Sequence, residues 1–148
     1  MTRRTDPSAE TVRLVRERDD WRCARCAGWG PLSTQHRVAR GMGGSRWAGI
    51  NLPSNLLTLC GSGTTGCHGW VEGHPLWAMG HGWAVSKYDR EAVSRLPVWT
   101  WRGWVYLTEQ GRAWAVDDHP GLAGCDCGCR PLETTTGVWD TPMGDREA

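Results

Sequence analysis

The sequence predicts a small α+β fold, and three observations point to it. Two close cysteine pairs, Cys23 with Cys26 and Cys60 with Cys67, punctuate the first half. Ser8 to Arg18 sets Val12 and Val15 on a helical spacing, and Trp83 to Val116 alternates tryptophan-rich apolar runs with glycine turns. At 148 residues the chain is one domain's length on the usual scale of roughly 100–200 residues. It divides into a module over residues 1–82, a Trp-rich β extension over 83–116 packed on it, and a Gly/Pro/Thr-rich tail over 117–148, expected to be poorly ordered.

Taken in order, Asp6-Pro7 reads as a helix start, with Asp capping and Pro in the first turn. Ser8 to Arg18 follows as a short basic helix, stopped by Asp19-Asp20-Trp21. Cys23-Ala24-Arg25-Cys26-Ala27-Gly28 is a knuckle, and Leu32 to Val38 a strand carrying Gln35 and His36. Gly41-Met42-Gly43-Gly44-Ser45 is a connector, because no Lys-Ser/Thr follows it as in a phosphate-binding loop. Asn51-Leu52-Pro53-Ser54 has turn chemistry. A short helix begins at Cys67 with His68 in its first turn, breaks near Gly73-His74-Pro75, and gives way to a second turn of helix at Leu76 to Met79. Strands are expected at Trp83–Val85, Val98–Trp101, Trp104–Leu107 and Ala113–Val116. Arg102-Gly103 and Glu109 to Arg112 form the turns between the last three. This antiparallel sheet reads as core packing more readily than as a base-stacking surface.

Composition excludes several classes. No apolar run approaches the ~20 residues that span a bilayer, and Arg3-Arg4 leads into Asp6-Pro7 rather than an apolar signal segment. The expected setting is cytoplasmic, with no membrane partner, and there paired cysteines are metal ligands more often than disulfides. The net charge of +1 conceals an asymmetry, since residues 1–46 hold ten Arg against five acids. The N-terminal third is therefore the candidate phosphate-facing surface, with Arg37, Arg40 and Arg46 as nucleic-acid contacts.

Two short cysteine pairs supply the donor set of a tetrahedral structural Zn²⁺ site, with Zn–S bonds near ~2.3 Å. Gly61, Ser62, Gly63, Thr64, Thr65 and Gly66 let the second pair curl around one ion. Three further thiols, Cys125, Cys127 and Cys129, lie too close in sequence for one tetrahedral ion; they read as tail thiols or, with His119, as a second site.

His36 in Gln35-His36-Arg37, Asn55 in Asn55-Leu56-Leu57 and His68 after Cys67, all set around paired cysteines, resemble the HNH endonucleases of the ββα-metal superfamily. The likeness covers roughly Val12 to Gly73. Arg40-Gly41-Met42-Gly43-Gly44 and Cys67-His68-Gly69-Trp70 are most similar to small HNH proteins of actinobacterial phages. The resemblance implies a zinc-stapled ββα module, a divalent cation (Mg²⁺ or Mn²⁺, with Ni²⁺ or Zn²⁺ as further candidates) and hydrolysis of DNA phosphodiesters. On it, His36 is the general base, His68 holds the cation and Asn55 fixes His36. It also suggests a phage terminase as a partner in genome packaging.

The residues are chemically suited to those roles. A neutral imidazole with a reference pKa near ~6.5 accepts a proton from water at neutral pH. The chain departs from the family at Gln35, where an acidic or histidine ligand is usual. A neutral amide oxygen is a weaker donor to a hard cation than a carboxylate. Glu72, four residues after His68 and so on its helical face, is either a further ligand or a solvated glutamate. Two rival readings stand: a non-catalytic zinc-bearing DNA-binding module, and a nuclease acting on RNA or single strands.

Overall fold

Ser8 caps the first helix. In the computed structural model, which describes residues 6–116, helix α1 spans Ala9–Arg18, and the Ser8 hydroxyl accepts from the Thr11 amide at 3.1 Å. This corrects the expected Asp6 start, because the Asp6 carboxylate is instead paired with Arg40. Val15 is buried, whereas Arg13 lies outward between Glu10 and Glu17. Left-handed backbone at Asp20 and Trp21 turns the chain out of the helix.

The end of α1 is fastened by charge. Arg18 and Asp19 form a buried ion pair at 2.8 Å. Arg18 also donates to the carbonyls of Pro53 and Leu56 at 2.8 and 2.7 Å, and Asp19 accepts from the Thr58 amide at 2.9 Å. With these bonds made, the pair locks α1 to a neighbouring strand instead of leaving a bare buried charge.

That neighbour is β2, Leu56–Cys60, which pairs antiparallel with β1, Leu32–His36, in a register running from Leu32↔Cys60 to His36↔Leu56. Strand β1 stops at His36, two residues before the expected end. A 3-10 turn, Pro53–Asn55, leads into β2. Leu56, Leu57, Thr58 and Leu59 are all buried because α1 and α2 (Gly66–Gly73) both pack on β2. Its apolar run therefore lacks the alternation of a half-exposed strand. Gly61 and Gly66 close the loop from β2 to α2: at φ 84° and 62°, a Cβ on either would lie 2.1 Å from the Thr65 oxygen or 2.6 Å from the Cys60 oxygen. The sequence β1, β2, α2 is a ββα unit.

Helix α3, Pro75–Gly80, follows the break at His74-Pro75. The stretch Trp83–Val85 is not a strand, contrary to expectation. Trp83 is instead a buried plug whose indole N–H donates to the Trp99 carbonyl at 2.7 Å, and the Val85 amide donates to the Arg37 carbonyl at 2.8 Å. A 3-10 helix at Arg90–Arg95, absent from the sequence reading, then precedes a three-stranded antiparallel sheet. Its strands are β3 (Val98–Thr100), β4 (Gly103–Leu107) and β5 (Ala113–Ala115), in that spatial order.

One apolar cluster crosses residue 82, joining Cys23, Leu57, Leu59, Cys67 and Val71 to Trp83, Val98, Val105 and Leu107. Among the described residues no helix is long and apolar enough to cross a membrane. The expectations for the tail, including His119, Cys125, Cys127 and Cys129, lie outside the described residues.

Candidate metal centres

The four cysteines converge from three elements. Cys23 and Cys26 sit on the knuckle, which is closed by the Cys23 amide donating to the Gly28 carbonyl at 2.9 Å. Cys60 ends β2 and Cys67 lies in the first turn of α2. All four thiols are free of disulfides, and their sulfurs lie within 4.8 Å of one another. A tetrahedron with ~2.3 Å bonds has sulfur–sulfur edges of about 3.8 Å, and Cys26 and Cys60 are separated by 3.8 Å. The donor set and its spacing therefore fit a single zinc ion.

The surroundings are built for thiolates. Backbone amides of Gly28 and Cys67 donate to the sulfurs of Cys26 and Cys60, both at 3.4 Å. The Arg25 guanidinium donates to Cys67 Sγ at 3.2 Å while lying over the rings of Trp70 and Trp83. A hydrogen bond from Cys67 pulls the Cys23 thiol pKa well below its usual value, and that bond with burial pushes Cys67 up. Metal binding would release the protons of these thiols.

The second centre lies where β1 meets α2. Asn51 Oδ1 is 2.8 Å from His36 Nε2. An amide oxygen only accepts, so Nε2 carries the hydrogen and Nδ1 the lone pair. Ser33 Oγ stands 2.7 Å from His68 Nδ1 and 3.4 Å from the Leu59 carbonyl. The short contact ties Nδ1 to the serine hydroxyl and leaves Nε2 facing Glu72. That nitrogen is 3.8 Å from a Glu72 carboxylate oxygen. Burial lowers the pKa of both imidazoles, although Asn51 opposes the shift at His36 and Glu72 opposes it at His68. His36 also lowers the His68 pKa electrostatically.

Asn55 is fully buried below them. Its side chain accepts from the Val38 amide at 2.8 Å and donates to the Ile50 carbonyl at 2.8 Å, while its own carbonyl accepts from the Arg37 amide at 2.8 Å. These bonds tie both ends of the long β1–β2 loop to the residues just after His36. Gln35 donates its amide N–H to the His36 carbonyl at 3.1 Å. Its Oε1 is buried with no hydrogen-bond partner among the described residues, on the same face of β1 as Ser33. An orphaned oxygen, an imidazole nitrogen and the exposed Glu72 carboxylate are donors that suit a divalent cation.

The three arginines expected to face nucleic acid separate. Arg37 is buried and its guanidinium donates to four carbonyls, those of Gly82, Ser54, Val93 and Leu96, at 2.7 to 3.0 Å. Burial pushes its pKa down to about 9, so it stays charged. It therefore cannot reach a phosphate, which corrects that assignment. Arg40 is half-buried beside Asp6, and Arg46 is exposed in the β1–β2 loop.

Ser33 and Asn51 were missed from the sequence. Asn51-Leu52 and Asn55-Leu56 form a near-repeat, which was the available signal for Asn51. Ser33 is two residues before Gln35, hence on its strand face. His74 and His81 are tied into packing, stacked on Trp70 at 4.0 Å and on Trp83 at 4.4 Å. No family model, curated protein or solved structure matches the chain.

Proposed function

We propose that the protein is a metal-dependent endonuclease of the HNH type that hydrolyses DNA phosphodiester bonds. One observation carries this reading: His36 on β1 and His68 on α2 belong to one ββα unit, each with one ring nitrogen tied to a polar side chain. In this reading His36 Nδ1 takes a proton from water, whose oxygen forms the new bond to phosphorus as the bond to the leaving oxygen breaks. His68 Nε2, Glu72 and Gln35 Oε1 are the groups that would hold a divalent cation. The cation would supply charge neutralisation on the phosphate and the departing oxygen.

The test is nicking of supercoiled plasmid by the purified protein with Mg²⁺ or Mn²⁺. His36→Ala should lower the rate about 10²–10⁴-fold while zinc content and fold persist. Absence of cation-dependent cleavage in the wild type would leave a non-catalytic zinc module as the reading. The phage setting and a terminase partner rest on the family resemblance alone.

A further inference from the structure

Beside the cysteine knuckle the protein exposes aromatic surface that its core does not use. Trp29 is 67% exposed, Trp21 47% and Trp101 40%. Guanidinium groups are layered among these rings. Arg22 lies 4.0 Å from the ring centroid of Trp29 and 5.5 Å from that of Trp101, and Arg102 lies 4.7 Å from Trp101. Arg16 stands 5.8 Å from Trp21.

Two of these cations have other engagements: Arg102 pairs with Asp20, and Arg16 donates to the Leu32 carbonyl. Arg22 has no carboxylate partner among the described residues. It remains a cation held between two exposed indoles. Flat π surfaces interleaved with guanidinium match the two things a single nucleic-acid strand offers, open base faces and phosphates. In a duplex the base faces are stacked away, so the rings would have nothing to cover.

We infer that this Trp29–Arg22–Trp101 face is a stacking platform for an unpaired stretch of nucleic acid. The platform also lies near the proposed site of cleavage. Trp29 precedes Ser33 by four residues, a reach of at most about 14 Å of chain, and Ser33 holds His68. A strand laid across the rings would thus arrive at the histidines within a few nucleotides. Its relevance to cleavage rests on the nuclease reading, but binding by the platform does not.

Binding of full-length protein, without added divalent cation, to labelled oligothymidylate is compared with two controls of the same length: a duplex and an abasic strand. Oligothymidylate should bind more tightly than either. Trp29→Ala and Trp101→Ala should each weaken it about 5- to 100-fold, and Trp29→Phe should restore most of the loss. Arg22→Ala should reduce the salt slope by about 0.7. Equal affinity for the abasic strand or the duplex overturns the proposal, as does wild-type affinity in a folded, zinc-loaded Trp29→Ala protein. If Trp101→Ala fails to fold, the largely exposed Trp29 decides alone. Cleavage is scored separately, so a protein that binds but never nicks refutes the nuclease and keeps the platform.

Discussion

The cysteine cluster and the histidine pair share the hairpin and helix, with the knuckle before β1 completing the cysteine set, and they differ in what they leave open. Four sulfurs fill a tetrahedron using protein atoms alone, with Arg25 and two backbone amides already donating to them. The histidines each have one ring nitrogen tied to a polar side chain, and the buried Gln35 oxygen on β1 lacks a hydrogen bond among the described residues. Closed sets of ligands hold structure, whereas catalytic sites keep a position for substrate or water. The contrast sets a structural role for the first centre against the reactive role proposed for the second, and it can be broken at either.

The largest effect is expected at the closed centre. Cys60→Ser removes one of four ligands, and structural zinc carries roughly 10–16 kcal/mol of apparent binding free energy in finger peptides near neutral pH. The variant should lose zinc and its cooperative unfolding transition together, as read by elemental analysis and circular dichroism. Wild-type protein that folds without zinc would end the distinction between the two centres.

Asn55→Ala comes next, because it leaves the buried Val38 amide and Ile50 carbonyl unpaired. At about 1–3 kcal/mol for each stranded group, the loss should be roughly 2–6 kcal/mol in denaturant unfolding. Activity should fall even where the protein remains folded, because the loop bearing Asn51 loses its anchor to the end of β1.

Acid should act on the open centre through its imidazoles. Both histidines have folded pKa values below the ordinary value, chiefly from burial. Between the folded value and the unfolded one near ~6.5, the unfolded chain binds more protons, so stability rises with pH there. The contribution is complete above about pH 6.5 and is lost as pH falls from there through the folded values. His36→Ala should show a flatter decline than wild type over this window. An identical profile would mean that protonation of His36 is not opposed by the fold.

The smallest effect is expected at Gln35. If its Oε1 faces the cation, Gln35→Asp should lower the half-saturating Mg²⁺ or Mn²⁺ concentration for nicking, because hard cations prefer carboxylate oxygen. Should both Gln35→Asp and Gln35→Ala leave that concentration unchanged while Glu72→Ala raises it, the cation is held by His68 and Glu72.

Much of the closed centre was legible in the sequence because ligand spacing is local: a C-x2-C pair and a six-residue glycine-rich loop carry their geometry with them. The open centre was half legible. His36 and His68 were visible as letters, but the residues that tie their ring nitrogens, Asn51 and Ser33, are ordinary turn and strand residues until the chain folds. Arg37 misled for a related reason. An arginine beside a candidate base in a basic segment reads as a phosphate contact, and nothing local shows that carbonyls from three distant segments will surround it. Strand β2 carried no alternating signal because both of its faces are covered. Trp83–Val85 was read as a strand from its apolar composition, although only the Trp83 indole and the Val85 amide are used, and for different purposes.

Arg37 also decides whether the hairpin and helix are portable. Two of its four acceptors, Val93 and Leu96, lie beyond residue 82, on the far side of the boundary that composition suggested. A chain cut there would keep the four cysteines and both histidines yet strand a guanidinium inside the protein with half of its acceptors gone. The ββα unit and the Trp-rich sheet should therefore melt in one transition. Recombination that moved the first 82 residues alone into another protein would deliver a module that does not hold its fold.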